Sequence, residues 1–361
     1  MKIALIGPGL MPIPAKNWGA VEILIWNYKV YLEELGHKVN IYNTKDLDFV
    51  ARTINTNEYD FVHLHYDEYI RFFNQSLNKP YCCTSHYSYI LKPRMWGTYY
   101  KSIFKNTLQA PGIIALSDKI AQKYRDSGYK GFLRVLRNGA EVLRFNFRYQ
   151  GNRKAICLGK IEPRKRQALL AGISKGRVNI DFVGPIVDPN FQQNETCRYL
   201  GIWDKPYLYE HLTDYSCLVL LSDGEAAPLV VPEALAAGLS IVVSESASAN
   251  LDPMDFITIL PDGLTDPNRL QNAIDEQISR NVAVREEIRE YAQQRFDWSI
   301  IINEYVSLIE EFNAQPPTSL QARHLKRIEL FDVWQQLQRS ILNPLLAVNW
   351  VKQWFRPKRH L

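Results

Sequence analysis

The residues best suited to chemistry lie in one short segment, Ser222–Gly238, which contains two glutamates and two prolines. An apolar run, Cys217–Leu221, precedes it and is typical of a buried strand. Pro228 and Pro232 fit a helix only if that helix begins near residues 228–230, because proline is tolerated in the first turn, where backbone N–H groups have no partner. The pattern therefore predicts a strand, a loop and then a short helix.

The start of this predicted helix combines free amides with carboxylates. The N–H groups of Leu229, Val230 and Val231 are expected to have no partner, and such a helix start attracts phosphate. Glu225 lies just before the helix and Glu233 one turn inside it. Carboxylates beside an anion site are useful if they accept hydrogen bonds from hydroxyls, which indicates a ligand with both phosphate and sugar. The alternative is an ordinary helix whose acidic start is favoured by the helix dipole.

Strand and helix patterns alternate through residues 1–150 and start again at Ala155–Leu158. Such alternation predicts parallel sheets with right-handed crossovers, so we expect an α/β protein of two Rossmann-like, doubly wound domains facing across a cleft. We place the domains at 1–150 and 151–297. A helix at 298–313 is expected to cross back to the first domain, and a basic tail with tryptophans occupies 314–361. Ligands of such sheets bind beyond the carboxyl ends of the strands.

Composition and charge exclude several classes of protein. The 361 residues are 46% hydrophobic and 22% charged, which is typical of a globular chain. The net charge is +5, but residues 314–361 hold eight Lys or Arg against two acidic residues, so residues 1–313 carry about −1. The body therefore does not resemble a nucleic-acid binder. The five cysteines have no zinc-type spacing, and we expect free thiols in a cytoplasmic, reducing compartment.

The glutamate segment resembles the E-x7-E motif of retaining glycosyltransferases of family 4, which have the GT-B fold, with Glu225 and Glu233 at the two motif positions. Nine further landmarks agree in order, so the resemblance covers roughly residues 1–313. They are Asn17–Glu22, Glu34–Val39, Asp60–His65, Thr84–His86, Ile114–Ser117, Arg137–Gly139, Leu158–Lys165, Phe182–Gly184 and Tyr199–Gly201.

The resemblance implies a seat for the diphosphate of a nucleotide sugar in the second domain. Lys160 and Lys165 would neutralise the diphosphate, and Leu229 and Val230 would offer it their backbone N–H groups. Gly19 would let the first domain close on the phosphates. Lys160 departs from the family pattern, in which arginine is usual, and so keeps the charge but loses the bidentate fork.

The resemblance also assigns the sugar side of the site. Glu233 would accept hydrogen bonds from the ribose hydroxyls, Glu225 would contact the donor sugar, and His86 would lie across the cleft beside the reacting carbon. His63 and His65 lie on one face of a predicted strand, and we interpret them as packing or cleft-wall residues because no third metal ligand is evident.

These features together predict a transferase that moves a sugar from a UDP- or GDP-type donor to a hydroxyl of a glycan or lipid-linked acceptor. The resemblance alone implies that the anomeric configuration is retained. Two cations and a helix start would stabilise the leaving group, and no Asp-x-Asp motif ends a predicted strand, so we expect neither metal nor cofactor. The alternatives are an epimerase or phosphorylase of the same fold, or a non-catalytic scaffold that binds sugar nucleotides or membranes.

The tail has no counterpart in the family pattern. Its apolar segment Ile341–Phe355 contains two tryptophans and is followed by the cations of Arg356–Arg359. Tryptophan and flanking cations suit an anionic membrane surface, which would make the enzyme peripheral to the cytoplasmic face. The alternative is that the tail packs on the body of the protein or on a second copy of the chain.

Overall fold

The computed structural model describes residues 1–15, 19–92, 97–173 and 178–315 of the chain. The tail from residue 316 onward, with the predicted membrane segment, lies outside the described residues, as do residues 17–18 of the first landmark. Within the described residues, no helix has the length and apolar character needed to cross a bilayer.

The first half of the chain forms a six-stranded parallel sheet with strand order β2-β1-β3-β4-β5-β6. The strands are β1 (Lys2–Ile6), β2 (Lys38–Tyr42), β3 (Phe61–Leu64), β4 (Cys82–Cys83), β5 (Gly112–Ala115) and β6 (Phe132–Val135). The helices are α1 (Ala20–Glu34), α2 (Leu47–Thr56), α3 (Ile70–Ser76), α4 (Gly97–Thr107) and α5 (Asp118–Asp126).

The second half repeats the design with strand order β12-β11-β10-β7-β8-β9, again all parallel. The strands are β7 (Ala155–Leu158), β8 (Ile180–Val183), β9 (Cys197–Tyr199), β10 (Cys217–Leu220), β11 (Ser240–Ser244) and β12 (Ile257–Leu260). The helices are α6 (Gln167–Ile173), α7 (Lys205–His211), α8 (Val230–Ala236), α9 (Pro267–Phe296) and α10 (Trp298–Ala314). This is the doubly wound α/β architecture that the alternating pattern predicts.

Both sheets are covered by helices on both faces, so their inner strands are buried along almost their whole length, whereas the outermost strands are partly exposed. In β1, Ala4 and Ile6 pack into one core, whereas Ile3 and Leu5 pack into the core on the opposite face. The same alternation occurs along β7 in the second sheet. Each sheet is therefore a rigid platform whose strand ends hold the loops of the site.

The last two helices differ in part from the pattern. Two separate helical stretches are predicted at 268–280 and 284–296, but α9 runs through both without a break. Asn281, which lies between them, is buried and donates to the backbone oxygen of Gly238, so it fastens the helix to the sheet layer. Asp297 then caps α10, whose Trp298 and Tyr305 are buried in the first half of the chain against Ile3 and Leu5.

Candidate donor site between the two sheets

All eight predicted site residues line one cavity of about 310 Å³. It lies where loops beyond the strands of the first sheet meet those of the second. The residues are Gly19, His86, Lys160, Lys165, Glu225, Leu229, Val230 and Glu233. They come from positions up to 214 residues apart in the chain, so only the packing of the two halves brings them together.

The two predicted lysines occupy different environments. Lys165 has a side chain that is 13% exposed, and its Nζ lies 3.7 Å from Glu225 Oε1. Lys160 is 43% exposed and its Nζ lies 3.9 Å from a carboxylate oxygen of Glu162. A charge that is shielded from water acts more strongly on a ligand than one that is solvated. Lys165 is therefore the stronger candidate for a diphosphate contact.

The loop that carries these lysines depends on two glycines. A Cβ on Gly184 would lie 2.2 Å from the backbone oxygen of Gly159, and both residues have positive φ values, +136° and +112°. The sequence pattern predicts a helix over 165–172, but Lys165 lies outside α6 and ends a short 3-10 turn. Arg166 has φ +58°, and this left-handed residue separates the turn from α6.

Glu225 is surrounded by cations. Arg164 Nη1 lies 3.0 Å from its Oε1, and Lys165 approaches the same oxygen. Arg164 also donates to Ser222 Oγ at 2.9 Å and to the backbone oxygen of Gly224, so it organises the whole loop before α8. Within the described part of the chain, Oε1 nevertheless has no aligned hydrogen-bond donor. Sequence reasoning missed Arg164, although its place beside Lys165 is a signal.

The helix start is only partly as predicted. α8 begins at Val230 with Leu229 before it, as the two prolines require. Among the described residues, the N–H groups of Leu229 and Val230 have no acceptor. The expectation for Val231 is wrong, because its N–H donates to the backbone oxygen of Pro228 at 3.3 Å in a tight first turn. Two amides, not three, are therefore available to a ligand.

Glu233 is ion-paired with Lys205, the first residue of α7. Lys205 also lines the cavity and lies near the ring of Tyr209. Sequence reasoning missed it, because no local pattern distinguishes this lysine from a surface residue. The carboxylate that the resemblance assigns to ribose hydroxyls is thus already neutralised by a protein cation.

His86 is held at the cavity wall by a neighbouring histidine. Its Nε2 lies 3.3 Å from His65 Nδ1, and burial lowers the pKa of His86 to about 4, so the ring is neutral at pH 7. His63 lies behind, hydrogen-bonded at 2.8 Å to Tyr305 and to Thr84. Both His63 and His65 are buried, as expected of packing or cleft-wall residues. No group of three or more metal-ligating side chains occurs within the described ranges.

A buried carboxylate anchors the segment that carries His86. Asp67 is 1% exposed, and its Oδ2 accepts hydrogen bonds from Ser85 Oγ and Tyr89 OH, on either side of His86. Burial raises the pKa of Asp67 to about 6, although the two hydrogen bonds oppose the shift. Nothing in the sequence pattern singles out Asp67.

The first domain contributes Gly19 to the lining of the cavity. It precedes α1 and has φ +132°. A Cβ there would lie 3.0 Å from a carboxylate oxygen of the buried Glu22. A second cavity, of about 390 Å³, adjoins the first through Glu225 and is lined by residues of both halves, including Lys92 and, on α5, Lys119 and Lys123.

No family model matches the sequence, and no curated protein matches it. Among solved structures, sucrose-phosphate synthase from Thermosynechococcus elongatus has a TM-score of 0.71 at 17% identity, over 87% of this chain and 99% of that one. HepE from Anabaena, in complex with UDP-glucose, has a TM-score of 0.68 at 14% identity over 86% and 100%.

A third similar structure is AviGT4, a glycosyltransferase involved in avilamycin A biosynthesis, with a TM-score of 0.65 at 16% identity over 87% of this chain and 98% of that one. At these identities the likeness shows the fold. The chain has the GT-B fold, with two parallel six-stranded sheets and C-terminal helices, and the fold prediction is confirmed.

Proposed function

We propose that the protein is a retaining, metal-independent glycosyltransferase that uses a nucleoside diphosphate sugar. The observation that carries the proposal is the convergence of eight residues, chosen from sequence alone, on one cavity between the two sheets. A chance set of residues from both halves of a 361-residue chain would scatter over the surface.

The cation side of the cavity suits a diphosphate leaving group. Lys165 is shielded from water, and it lines the same cavity as Leu229 and Val230, whose N–H groups have no acceptor among the described residues. Negative charge grows on the diphosphate as the glycosidic bond breaks, so these donors stabilise the transition state more than the ground state. In this proposal they perform the charge neutralisation for which other transferases use a metal ion.

The carboxylate side suits the sugar. The Glu225 side chain lines the cavity and is 14% exposed, so its carboxylate can accept a hydrogen bond from a sugar hydroxyl. Glu233 would exchange part of its contact with Lys205 for the ribose hydroxyls. His86, neutral at pH 7, would face the reacting carbon as a hydrogen-bonding group and not as a cation.

The donor type is proposed with support from a structural neighbour. HepE has been solved with UDP-glucose, with UDP and glucose, and with UDP. We therefore place UDP sugars before GDP sugars for this chain. The acceptor is proposed to be a hydroxyl of a glycan or of a lipid-linked sugar, with the reaction in the cytoplasm.

Donor turnover tests the proposal. Purified protein is incubated with UDP-glucose and with other UDP and GDP sugars, and release of the nucleoside diphosphate is followed with and without candidate acceptors. Glu225→Gln should lower turnover at least tenfold, whereas Glu287→Gln, an exposed glutamate on α9, should leave it unchanged. The anomeric configuration of the product, read by NMR, tests retention.

Two results would favour the alternatives. Binding of a UDP sugar without its hydrolysis or transfer of the sugar to any acceptor would indicate a scaffold. Conversion of one UDP sugar into another without release of UDP would indicate an epimerase. Turnover that persists in Glu225→Gln would overturn the assignment of the site.

A further inference from the structure

One lysine of the first half of the chain is fully engaged by the second half. Lys92 Nζ donates to the backbone oxygen of Asp223, to Ser246 Oγ at 2.7 Å and to Asp262 Oδ2 at 3.3 Å. An ammonium group has three N–H donors, and here each has an acceptor from the opposite half. Lys119 and Lys123 line the same second cavity and, among the described residues, have no ion-pair partner.

The acceptors of Lys92 are the immediate supports of Glu225. The Glu225 N–H donates to the backbone oxygen of Ser246 at 3.2 Å, and Asp223 precedes Glu225 by two residues. Ser246 is itself fixed, because its N–H donates to Asp262 Oδ1 at 2.8 Å and its Oγ donates to Oδ2 of the same carboxylate. Lys92 therefore contacts residues that directly support Glu225, the glutamate that is proposed to contact the sugar.

The segment that carries Lys92 also carries His86. Ser85 and Tyr89 are fixed by Asp67 inside the first half, and the N–H of Lys92 donates to the backbone oxygen of Tyr89 at 3.0 Å. The contacts of Lys92 with Asp223 and Ser246 thus join the segment that carries His86 to the loop that carries Glu225.

We propose that Lys92 is a positioning residue that latches the two halves and aligns Glu225 with His86. We call the arrangement of the halves in this structure closed. All three acceptors of Lys92 belong to the second half, so separation of the halves would remove them together and the alignment would be lost. The consequence for catalysis rests on the proposed function, whereas the latch itself does not.

A disulfide can report closure independently of activity. Ser88 lies on the same segment as Lys92, and a Cβ placed on Gly224 would lie 3.4 Å from Ser88 Cβ. Disulfide-bonded residues have Cβ atoms about 3.5–4.5 Å apart, so the S88C/G224C pair can be oxidised in the closed arrangement. The five native cysteines are buried and give a low background.

The experiment compares the rate at which the S88C/G224C disulfide forms in three proteins: the parent with Lys92, the Lys92→Met variant and the Lys123→Met variant. The small-molecule disulfide that serves as oxidant is kept at one concentration. Lys92→Met, which keeps most of the length of the side chain but no donor, should slow cross-linking at least fivefold. Lys123→Met should leave the rate unchanged. An unchanged rate in Lys92→Met, or no cross-link in the parent background, would overturn the latch. Thermal unfolding of each variant identifies loss of fold.

The kinetic arm uses the chain without added cysteines. Lys92→Met should lower kcat for donor turnover at least tenfold while the KM for the donor changes less than threefold, because the donor cavity is intact. Slower cross-linking with unchanged kcat would refute the positioning role. If Lys92→Met slows cross-linking but the parent protein has no transferase activity, the latch is supported and the proposed function is refuted.

Discussion

The unequal burial of the two cavity lysines leads to a quantitative prediction for UDP binding. The perturbation is Lys165→Met compared with Lys160→Met. The Lys165 side chain is 13% exposed and that of Lys160 is 43% exposed. If both merely added positive charge, the two substitutions would weaken binding equally. If burial governs how much each charge contributes to UDP binding, Lys165→Met must weaken binding more than Lys160→Met.

The magnitude follows from the local dielectric. A unit charge about 4 Å from an ammonium contributes about 4 kcal/mol at an effective dielectric constant of about 20. Glu225, 3.7 Å from Lys165 Nζ, offsets part of this, and we expect a net loss of about 2 kcal/mol in Lys165→Met, which is a roughly 30-fold weaker Kd. Exposed ion pairs contribute about 0–1 kcal/mol, so Lys160→Met should weaken binding at most about fivefold.

Isothermal titration with UDP at low and high salt measures both effects. The loss in Lys160→Met should fade at high salt, because exposed charges are screened, whereas the loss in Lys165→Met should persist. Lys130→Met, at an exposed position before β6, is the matched control. Equal losses for the two cavity lysines, or a larger loss for Lys160→Met, would refute the reasoning from burial.

Three further predictions concern stability, each measured by urea unfolding. Gly184→Ala should cost about 3 kcal/mol or more, because its Cβ would lie 2.2 Å from the Gly159 oxygen; Gly201→Ala, also at positive φ but in open space, should cost only about 1–2 kcal/mol. Burial raises the pKa of Asp67 to about 6 from a reference value of 3.8, so the folded state binds more protons than the unfolded state between about pH 4 and pH 6, and stability falls as pH rises through that window. The free energy of unfolding of Asp67→Asn, relative to that of the wild type, should therefore rise by up to about 3 kcal/mol between pH 4 and pH 7. A difference that stays constant with pH would contradict this. Arg285→Met should cost about 3–5 kcal/mol, because the buried guanidinium donates to four backbone oxygens, and a loss below 1 kcal/mol would show that the network is dispensable.

The sequence could predict features that depend on local chemistry. Pro228 and Pro232 restrict where a helix can begin, and α8 begins at Val230. The alternation of apolar runs and helical stripes predicts parallel sheets, which the structure contains. The failure at Val231 is instructive, because a tight first turn lets Pro228 accept its N–H, and proline tolerance alone does not distinguish that turn from an open helix start.

The sequence could not predict the residues that hold the predicted ones. Lys92 contacts Asp223 across 131 residues of chain, and Lys205 meets Glu233 across 28. No periodicity extends over such separations, so each lysine appears in the sequence as an ordinary surface cation. Asp67 likewise becomes notable only because the fold buries it beside the His86 segment.

The charge pairing in the cavity has a consequence for how a ligand would bind. Glu225 is contacted by Arg164 and Lys165, and Glu233 by Lys205, so each carboxylate already has a cation. An incoming diphosphate must therefore compete with Glu225 for Lys165, while ribose hydroxyls compete with Lys205 for Glu233. The diphosphate and the donor sugar then help each other, because Lys165 turned toward phosphate leaves Glu225 more open to a sugar hydroxyl. A sugar or a phosphate alone lacks that coupling, so a cavity of this kind favours the complete nucleotide sugar over its parts.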